Sequence, residues 1–239
     1  MKGVILAGGK GTRLLPATRI TNKHLIPIGS IPMIEFPLAV LSKLNVKEVL
    51  LVSGGEHVGD FAEYLGDGSD FGISLTYRIQ KKPGGIAHAL LQAESFFLGE
   101  EVLAILGDNI FETQAIPLSL GKPEHDRAHI LLKEIDNPKR FGVARVGKEG
   151  ELLEIIEKPE NPPSNLIVTG VYRFPADVFD VVKTLVPSER GEIEITDVNN
   201  HYIRSGRMDY DIFSGFWSDA GTPESLFRAN EWLVKSNNA

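Results

Sequence analysis

The chain has 239 residues, of which 42% are hydrophobic and 24% are charged. It contains no cysteine, which excludes disulfides, thiolate metal sites and cysteine nucleophiles. The formal net charge of −7 argues against nucleic acid as the main ligand, because such binding depends largely on Lys and Arg contacts to phosphates.

The first half of the chain alternates apolar strand patterns with helical patterns. We predict strands at residues 4–6, 49–53, 75–79 and 102–106, and helices at residues 32–44, 58–65 and 86–97. Strands that alternate with helices of this length favour a parallel, doubly wound α/β sheet.

The second half predicts an antiparallel or mixed extension of that sheet. Its predicted strands are residues 128–135, 143–146, 152–157, 168–174 and 210–213, and its predicted helices are residues 176–185, 195–204 and a last one from 223. Residues 217–221 are expected to form a loop. We therefore predict one domain, residues 1–239, with a Rossmann-like doubly wound mixed sheet and an inserted lobe.

We expect neither a membrane partner nor secretion. No apolar run approaches the roughly 18 residues of a membrane span. The N-terminus leads straight into a strand and lacks the pattern of a signal peptide. These features predict a cytoplasmic protein.

A glycine-rich loop follows the first strand. Leu6 is followed by Ala7-Gly8-Gly9-Lys10-Gly11-Thr12-Arg13, where α/β sheets bind ligands. Glycines let backbone N–H groups approach a phosphate, and the Arg13 guanidinium suits phosphate oxygens. The spacing matches neither the P-loop nor the dinucleotide pattern. We interpret the segment as a nucleotide-phosphate loop, with an ordinary strand–helix turn as the alternative.

Further polar residues follow other predicted strands. Asp108 comes after residues 102–106 and is suited to hold Mg²⁺, as is Asp219 farther along the chain. Gln80 offers a donor and an acceptor for a base edge, and Glu157 and Lys158 suit a hydroxyl and a phosphate. Each has a structural alternative: a turn aspartate, an isolated amide or an exposed ion pair.

Taken in chain order, these motifs form a recognisable series. They are residues 6–14, 22–23, 27, 32–34, 84–87, 106–111, 157–159, 168–170, 190–192 and 219–222. This series closely resembles the sugar-1-phosphate nucleotidyltransferases, over residues 2 to about 232. The resemblance implies the nucleotide-diphospho-sugar transferase fold, with the nucleotide-binding part mainly in residues 1–110 and a sugar-phosphate-binding lobe mainly in residues 111–239.

The resemblance also implies an activity and its residues. The phosphate oxygen of glucose 1-phosphate would attack the α-phosphorus of dTTP, with Mg²⁺ bound, and pyrophosphate would leave. The implied catalytic residues are Arg13, Lys23 and Lys158, and the implied metal ligands are Asp108 and Asp219. The implied nucleotide-binding residues are Leu6, Gly8, Gly9, Gly11, Thr12, Arg13, Gln80, Pro83, Gly85 and Asp108. The implied sugar-phosphate-binding residues are Asn109, Gly142, Glu157, Lys158, Val168, Thr169, Tyr172 and Arg190. A homo-oligomer, either a dimer or a tetramer, is also implied.

Four points stay open from the sequence. His24 and Phe141 stand where Gln and Tyr are common in the family. A preference for UTP or another nucleotide or sugar is an alternative, because one thymine methyl group is worth at most ~1–3 kcal/mol. A non-catalytic nucleotide-sugar sensor is a third interpretation, which the combination of three cations with two carboxylates disfavours. The sequence leaves open whether the regulatory nucleotide site of longer members is present.

Overall fold

The computed structural model describes residues 1–82, 84–124 and 126–236. The chain divides into two compact units. Unit I comprises Gly3–Pro83, Ile105–Ile116 and Gly215–Ala239, and unit II comprises Met1–Lys2, Gly84–Ala104 and Pro117–Ser214.

The helices and strands follow the predicted order along the chain. The strands are β1 (Lys2–Ala7), β2 (Pro27–Ile28), β3 (Ile31–Pro32), β4 (Glu48–Gly54), β5 (Ser74–Gln80), β6 (Val102–Leu106), β7 (Ile110–Phe111), β8 (Ala128–Glu134), β9 (Gly142–Val146), β10 (Leu152–Glu157), β11 (Leu166–Phe174), β12 (Met208–Ile212) and β13 (Trp217–Ser218). The α-helices are α1 (Glu35–Lys43), α2 (Val58–Leu65), α3 (Ile86–Leu91), α4 (Glu94–Phe97), α5 (Val178–Thr184), α6 (Ile195–Arg204) and α7 (Pro223–Ser236).

Unit I is built on a parallel sheet, as predicted. β4 pairs in parallel with β1 on one side and with β5 on the other. The register places Ala7 opposite Ser53, and Gly54 opposite Gln80. The apolar run of β1 is buried because helices that follow parallel strands cover both faces of such a sheet. The carboxyl ends of the three strands therefore lie along one edge.

A second part of unit I joins residues from both ends of the chain. β7 and β13 form an antiparallel pair. Ile28, Ile110 and Ala229 belong to one buried apolar cluster. At its border the rings of Phe216 and Trp232 stack with their centroids 4.5 Å apart. Burial of these apolar surfaces connects α7 to the β7–β13 pair.

Unit II contains the predicted mixture of strand directions. β10 is antiparallel to β9, and β11 is antiparallel to both β8 and β9. β12 runs parallel to β8. β10 pairs with β9 along one edge and is the end strand of this arrangement. This end position leaves its second edge open to other partners.

Three predicted elements need correction. The first helix begins at Glu35 rather than at residue 32, because Ile31–Pro32 pairs with Pro27–Ile28. The helix predicted at 86–97 is two helices, since Gln92 and Ala93 donate to carbonyls only three residues earlier and tighten the turn. The predicted loop at 217–221 begins with the short strand β13.

None of the helices in the described part of the chain combines the length and the apolar character needed to cross a membrane.

Candidate functional site

The glycine-rich loop lies at the carboxyl end of β1. A Cβ atom added at Gly8 would lie 3.2 Å from Oε1 of Gln80, so a side chain there would crowd that amide. Gly9 and Gly11 have φ values of 93° and 61°, which L residues with side chains rarely adopt. Gly11 precedes a short 3₁₀ turn that carries Thr12 and Arg13. The loop therefore requires its glycines for backbone shape and for space.

A cleft of about 650 Å³ opens beside this loop. Gly9, Lys23 and Gln80 line it, together with Lys10 and Lys81. Residues 54–57, which follow β4, form another part of its wall. The lining holds three lysines and one glutamate, Glu56, and Lys23 is paired with a carboxylate, so the cleft keeps a modest excess of positive charge in a protein with a net charge of −7. Such a surface attracts anions. Leu6, Gly8, Thr12 and Arg13 are not part of the lining.

Lys23 and Asp108 form a largely buried ion pair in unit I. The Lys23 ammonium donates to Oδ2 of Asp108 at 2.5 Å, and the two side chains are only 13% and 15% exposed. Burial opposes ionisation of Asp108, but the charge of Lys23 and the hydrogen bonds from Lys23 and Asn109 together outweigh it, so the pKa of Asp108 lies below its ordinary value. The amide of Asn109 also donates to Oδ1 of Asp108, at 3.0 Å. Asp108 is therefore held as a carboxylate.

The β7–β13 pair directs the segment that carries Asp219 toward the segment that carries Asp108. Ser218 lies opposite Ile110, and the strands are antiparallel. Asp219 follows Ser218, so the chain runs from β13 toward the segment that contains Asp108 and Asn109. Asp108 and Asp219 are 111 positions apart in sequence.

Two carboxylates suit a hard cation such as Mg²⁺, which usually takes one or two carboxylates and completes its octahedron with water and phosphate oxygens. Asp108 accepts one hydrogen bond at each oxygen and keeps further lone pairs. Among the described residues, no group of three or more His, Asp or Glu side chains is arranged to hold a metal ion.

Arg13 and Asp219 both lie close to Gly221. A Cβ at Gly221 would be 3.2 Å from Nη2 of Arg13 and 3.7 Å from Oδ2 of Asp219. The Arg13 side chain is otherwise exposed. The structure therefore brings Arg13 and Asp219 to the same small region of unit I.

His24 is a residue of this region that the sequence indicated only as a departure from the family pattern. It is 1% exposed, and its Nδ1 lies 2.6 Å from Oδ1 of Asn22. Burial, reinforced by the charge of Lys23, lowers the pKa of His24 to about 3, so the ring is neutral. A Cβ at Gly107 would lie 2.8 Å from the ring. His24 thus packs between Lys23 and the turn that carries Asp108.

Asn109 belongs to a different unit from the other predicted sugar-phosphate residues. It lies in unit I, is 2% exposed, and its Oδ1 accepts a hydrogen bond of 2.7 Å from the Trp217 indole. Its amide nitrogen donates to Asp108. In this structure Asn109 therefore orients the carboxylate of Asp108. Trp217, only 8% exposed, occupies the core position that its size predicts.

A charged cluster in unit II brings together several predicted sugar-phosphate residues. The guanidinium of Arg190 donates to Glu157 at 3.3 Å and to Glu194 at 2.8 Å. The Lys158 ammonium lies 3.4 Å from the same Glu157 carboxylate. A Cβ at Gly142 would lie 3.5 Å from Oε2 of Glu157. These residues form one polar cluster at the end of β10, which sequence spacing alone did not indicate.

The predicted residues on β11 are less accessible. Thr169 is 1% exposed and its hydroxyl donates to the carbonyl of Leu131 at 2.9 Å. Tyr172 is 4% exposed and stacks on Phe174, with their ring centroids 5.7 Å apart. Val168 is also buried. The side chains of this strand serve the core of unit II in the structure.

Gly85 belongs to unit II, whereas the other described residues predicted to bind nucleotide belong to unit I. It precedes α3 with a φ of 94°, and a Cβ there would lie 2.6 Å from the carbonyl oxygen of Ile193. The backbone N–H of Ile193 donates to the carbonyl of Gly84 at 2.9 Å. The Gly84–Gly85 turn is therefore fixed against residue 193. Pro83, predicted to bind nucleotide, lies outside the described residues.

Comparison with known proteins gives consistent results. The family model described as nucleotidyl transferase matches residues 2–236. A glucose-1-phosphate thymidylyltransferase of Neisseria meningitidis is 40% identical, and the match covers 100% of this chain and 84% of that protein.

Solved structures show the same likeness. A Bacillus anthracis protein assigned as a glucose-1-phosphate thymidylyltransferase, crystallised with sucrose, superposes with a TM-score of 0.91 at 46% identity, covering 97% of this chain and 94% of that one. A UDP-glucose pyrophosphorylase in complex with UDP-glucose has a TM-score of 0.88 at 25% identity, with 98% of each chain covered. The predicted nucleotide-diphospho-sugar transferase fold is confirmed by these two structures.

Proposed function

Because this chain belongs to the nucleotidyl transferase family, we propose that it transfers a thymidylyl group from dTTP to glucose 1-phosphate. A phosphate oxygen of glucose 1-phosphate forms a bond to the α-phosphorus of dTTP. The bond from that phosphorus to the oxygen bridging to the β-phosphate breaks, and pyrophosphate leaves. The products are dTDP-glucose and pyrophosphate. The observation that carries the proposal is the Lys23–Asp108 pair beside the glycine loop and its cationic cleft.

Reactions of this class need positioning and charge neutralisation from the protein rather than a covalent intermediate. Backbone N–H groups of residues 8–11 hold the triphosphate, and Leu6 and Thr12 shape the loop around it. Arg13 and Lys23 neutralise charge that builds up at the α-phosphate and on the leaving pyrophosphate. Gln80 offers its amide to the base, as do backbone groups of Gly85.

Asp108 and Asp219 are the residues that would hold Mg²⁺. When held there, the ion would supply Lewis-acid polarisation of phosphate oxygens and would reduce the repulsion between two anions. The lowered pKa of Asp108 keeps its carboxylate ionised for this role. The amide of Asn109 orients that carboxylate by donating to Oδ1, the oxygen that Lys23 does not contact.

The cluster at the end of β10 accounts for binding of the sugar phosphate. Glu157 accepts hydrogen bonds from sugar hydroxyls, while Lys158 and Arg190 approach the phosphate group. Arg190 is bound to carboxylates in this structure, so it gives up part of those contacts when the phosphate binds. A side chain at Gly142 would crowd the neighbourhood of Glu157, so the absence of a side chain there preserves the arrangement of the cluster. Val168, Thr169 and Tyr172 form the supporting strand.

UTP is the alternative nucleotide. The likeness to a UDP-glucose pyrophosphorylase favours keeping it as a second candidate. An amide and backbone groups bind the shared edge of uracil and thymine equally well, and the thymine methyl contributes at most ~1–3 kcal/mol. The homo-oligomeric state and the cytoplasmic location remain predictions from the sequence.

The test is a pyrophosphate-release assay with glucose 1-phosphate and each of dTTP, UTP, CTP, ATP and GTP, with Mg²⁺ and with a chelator. We expect the highest kcat/KM with dTTP and loss of turnover on chelation. Comparable rates with dTTP and UTP would favour the alternative nucleotide. Turnover that survives chelation would contradict the metal assignment, and no turnover with any nucleotide would favour a sensor.

Arg13→Ala tests the role of the loop cation. We expect kcat/KM to fall roughly 10²–10³-fold, about 3–4 kcal/mol, by analogy with the loss of one charge-stabilising donor. Arg19→Ala is the matched control, because Arg19 is an exposed arginine close by in the sequence. A value for Arg13→Ala within about threefold of wild type would remove Arg13 from the catalytic set.

A further inference from the structure

Helix α6 lies along the unpaired edge of β10. Oδ1 of Asn200 accepts a hydrogen bond from the backbone N–H of Ile155 at 2.8 Å. Its Nδ2 donates to the backbone carbonyl of the same residue, also at 2.8 Å. One amide side chain therefore pairs with both backbone polar groups of a residue on an end strand, as a neighbouring strand would do.

A second residue of α6 reaches the same strand one helical turn earlier. Thr196, four positions before Asn200, donates from Oγ1 to Oε2 of Glu157 at 2.6 Å. Residues i and i+4 share one face of a helix, and residues i and i+2 share one side of a strand. This face of α6 is therefore in register with Ile155 and Glu157.

The spacing between these elements leaves little freedom. Gly142 lies opposite Glu157 in the β9–β10 pair. A Cβ at Gly142 would be 3.1 Å from a methyl group of Ile155 and 3.2 Å from Oγ1 of Thr196. A small movement of β10 therefore changes the position of the Glu157 carboxylate.

The residue after β10 depends on its neighbours for its conformation. Lys158 has a φ of 44°, in the left-handed region that non-glycine residues rarely adopt. Its backbone N–H donates to the carbonyl of Phe141 at 3.0 Å. The end of β10 is thus maintained by contacts from outside the strand.

Helix α6 is anchored independently of β10. Ile193, just before the helix, exchanges backbone hydrogen bonds with Gly84 and Ala87. Near the other end, the hydroxyl of Tyr202 donates to Asp177 at 2.8 Å. Removal of the Asn200 amide therefore frees the outer edge of β10 at Ile155, while β10 stays paired with β9 and the helix stays in place.

We propose that Asn200 is a positioning residue for sugar-phosphate binding: it holds the end of β10 so that Glu157 and Lys158 meet the ligand in one fixed arrangement. The inference rests on the proposed function, which assigns Glu157 and Lys158 to glucose 1-phosphate. Asn200 itself acts through β10 and does not contact the substrate.

The test compares Asn200→Ala, which removes the amide, with Asn200→Gln, which keeps it on a longer side chain. We expect Asn200→Ala to raise the KM for glucose 1-phosphate about tenfold, since two hydrogen bonds that fix the site are lost, and to leave the KM for dTTP within about twofold. Asn200→Gln recovers part of the loss. Hydrogen exchange of the peptide spanning 152–158 should accelerate about tenfold in Asn200→Ala.

Asn230→Ala is the matched control. Asn230 lies on α7, where its Oδ1 accepts from the backbone N–H of Gly29 at 2.8 Å. This variant also loses an amide–backbone contact, and we expect both KM values to stay within about twofold of wild type.

The outcomes distinguish failure of the positioning role of Asn200 from failure of the proposed function. A wild-type enzyme that is active, together with an Asn200→Ala variant whose two KM values rise equally or stay unchanged, overturns the positioning role alone. Unchanged exchange in residues 152–158 also overturns it, whatever the kinetics. A wild-type protein without turnover of dTTP and glucose 1-phosphate overturns the proposed function instead.

Discussion

Replacement of Lys23 by methionine tests the ion pair at the centre of the candidate site. Methionine keeps much of the volume of the lysine stem and removes the charge that lies 2.5 Å from Asp108. Both side chains are about nine-tenths buried, at 13% and 15% exposure. Loss of one partner from a buried pair leaves an uncompensated charge and costs roughly 3–5 kcal/mol. For a chain of this length that corresponds to a fall in Tm of roughly 6–20 °C.

The assay is urea unfolding at pH 7, with a chelator present, of four proteins: wild type, Lys23→Met, Asp108→Asn and the double variant. Each single variant leaves one uncompensated group, whereas the double variant leaves none. We therefore expect the double variant to lose less free energy of unfolding than the sum of the singles, with a coupling energy of about 2 kcal/mol or more. Single effects that add to within about 0.5 kcal/mol would refute the energetic role of the pair.

The pH dependence of the same variants gives an independent check. In wild type the pKa of Asp108 is lowered from 3.8, so its contribution to stability is complete above that value and is lost as the pH falls through the folded-state pKa. Without Lys23, burial dominates and raises the pKa of Asp108. Asp108 of the folded variant then binds a proton more readily than in the unfolded chain, so the contribution of Asp108 to stability rises as the pH falls from 7 toward 4. The gap between wild type and Lys23→Met should therefore narrow on acidification, and a constant gap would contradict this cause.

Three further predictions concern buried or strained positions. The pKa of His24 is lowered to about 3, so below pH 6.5 the unfolded chain binds a proton at this residue and the folded chain does not. The free energy of unfolding of wild type should therefore fall by up to ~1.4 kcal/mol per pH unit below 6.5. Urea titrations at several pH values should show that His24→Gln lacks this slope. Gly85→Ala should cost about 1–3 kcal/mol more than Gly191→Ala, since both positions have positive φ but only Gly85 would press a Cβ against the Ile193 carbonyl; equal Tm values would rule out the steric cause. Asn199 is buried, and both its amide atoms lack hydrogen bonds within the part of the chain that is described. Asn199→Leu should therefore raise the free energy of unfolding by about 1 kcal/mol and Tm by roughly 2–4 °C. A lower Tm would show that the amide is satisfied.

Much of the fold follows from local sequence pattern. The strands around Val4 and Leu51 are continuous apolar runs, the strand around Leu75 mixes apolar and polar residues, and helical patterns lie between them, so the parallel half of the sheet was predictable. The break near Ala93 was not, because an apolar face continues through the break. The prediction of a helix that begins at Pro32 was also wrong, because hairpin pairing of Pro32 with Pro27 outweighs helix propensity there.

Part of the candidate site was also predictable from local sequence, and part was not. The glycine loop was readable because its backbone requirements are local, with positive φ at Gly9 and Gly11. The position of Asp108 at the end of a strand was readable for the same reason. The contact between Lys23 and Asp108, 85 residues apart, depends on long-range chain packing and has no local signal.

The sequence by itself determined the strand–helix alternation, the glycine loop and the residue types available for phosphate and metal binding, because each is encoded within a few neighbouring positions. Only the tertiary structure decided which of them meet. Two-residue strands such as β7 and β13 have too few positions for a periodic signal, yet their pairing carries Asp219 toward Asp108. The link from Asn200 to Ile155 likewise depends on a helix and a strand that are 45 residues apart, and only packing brings them into register.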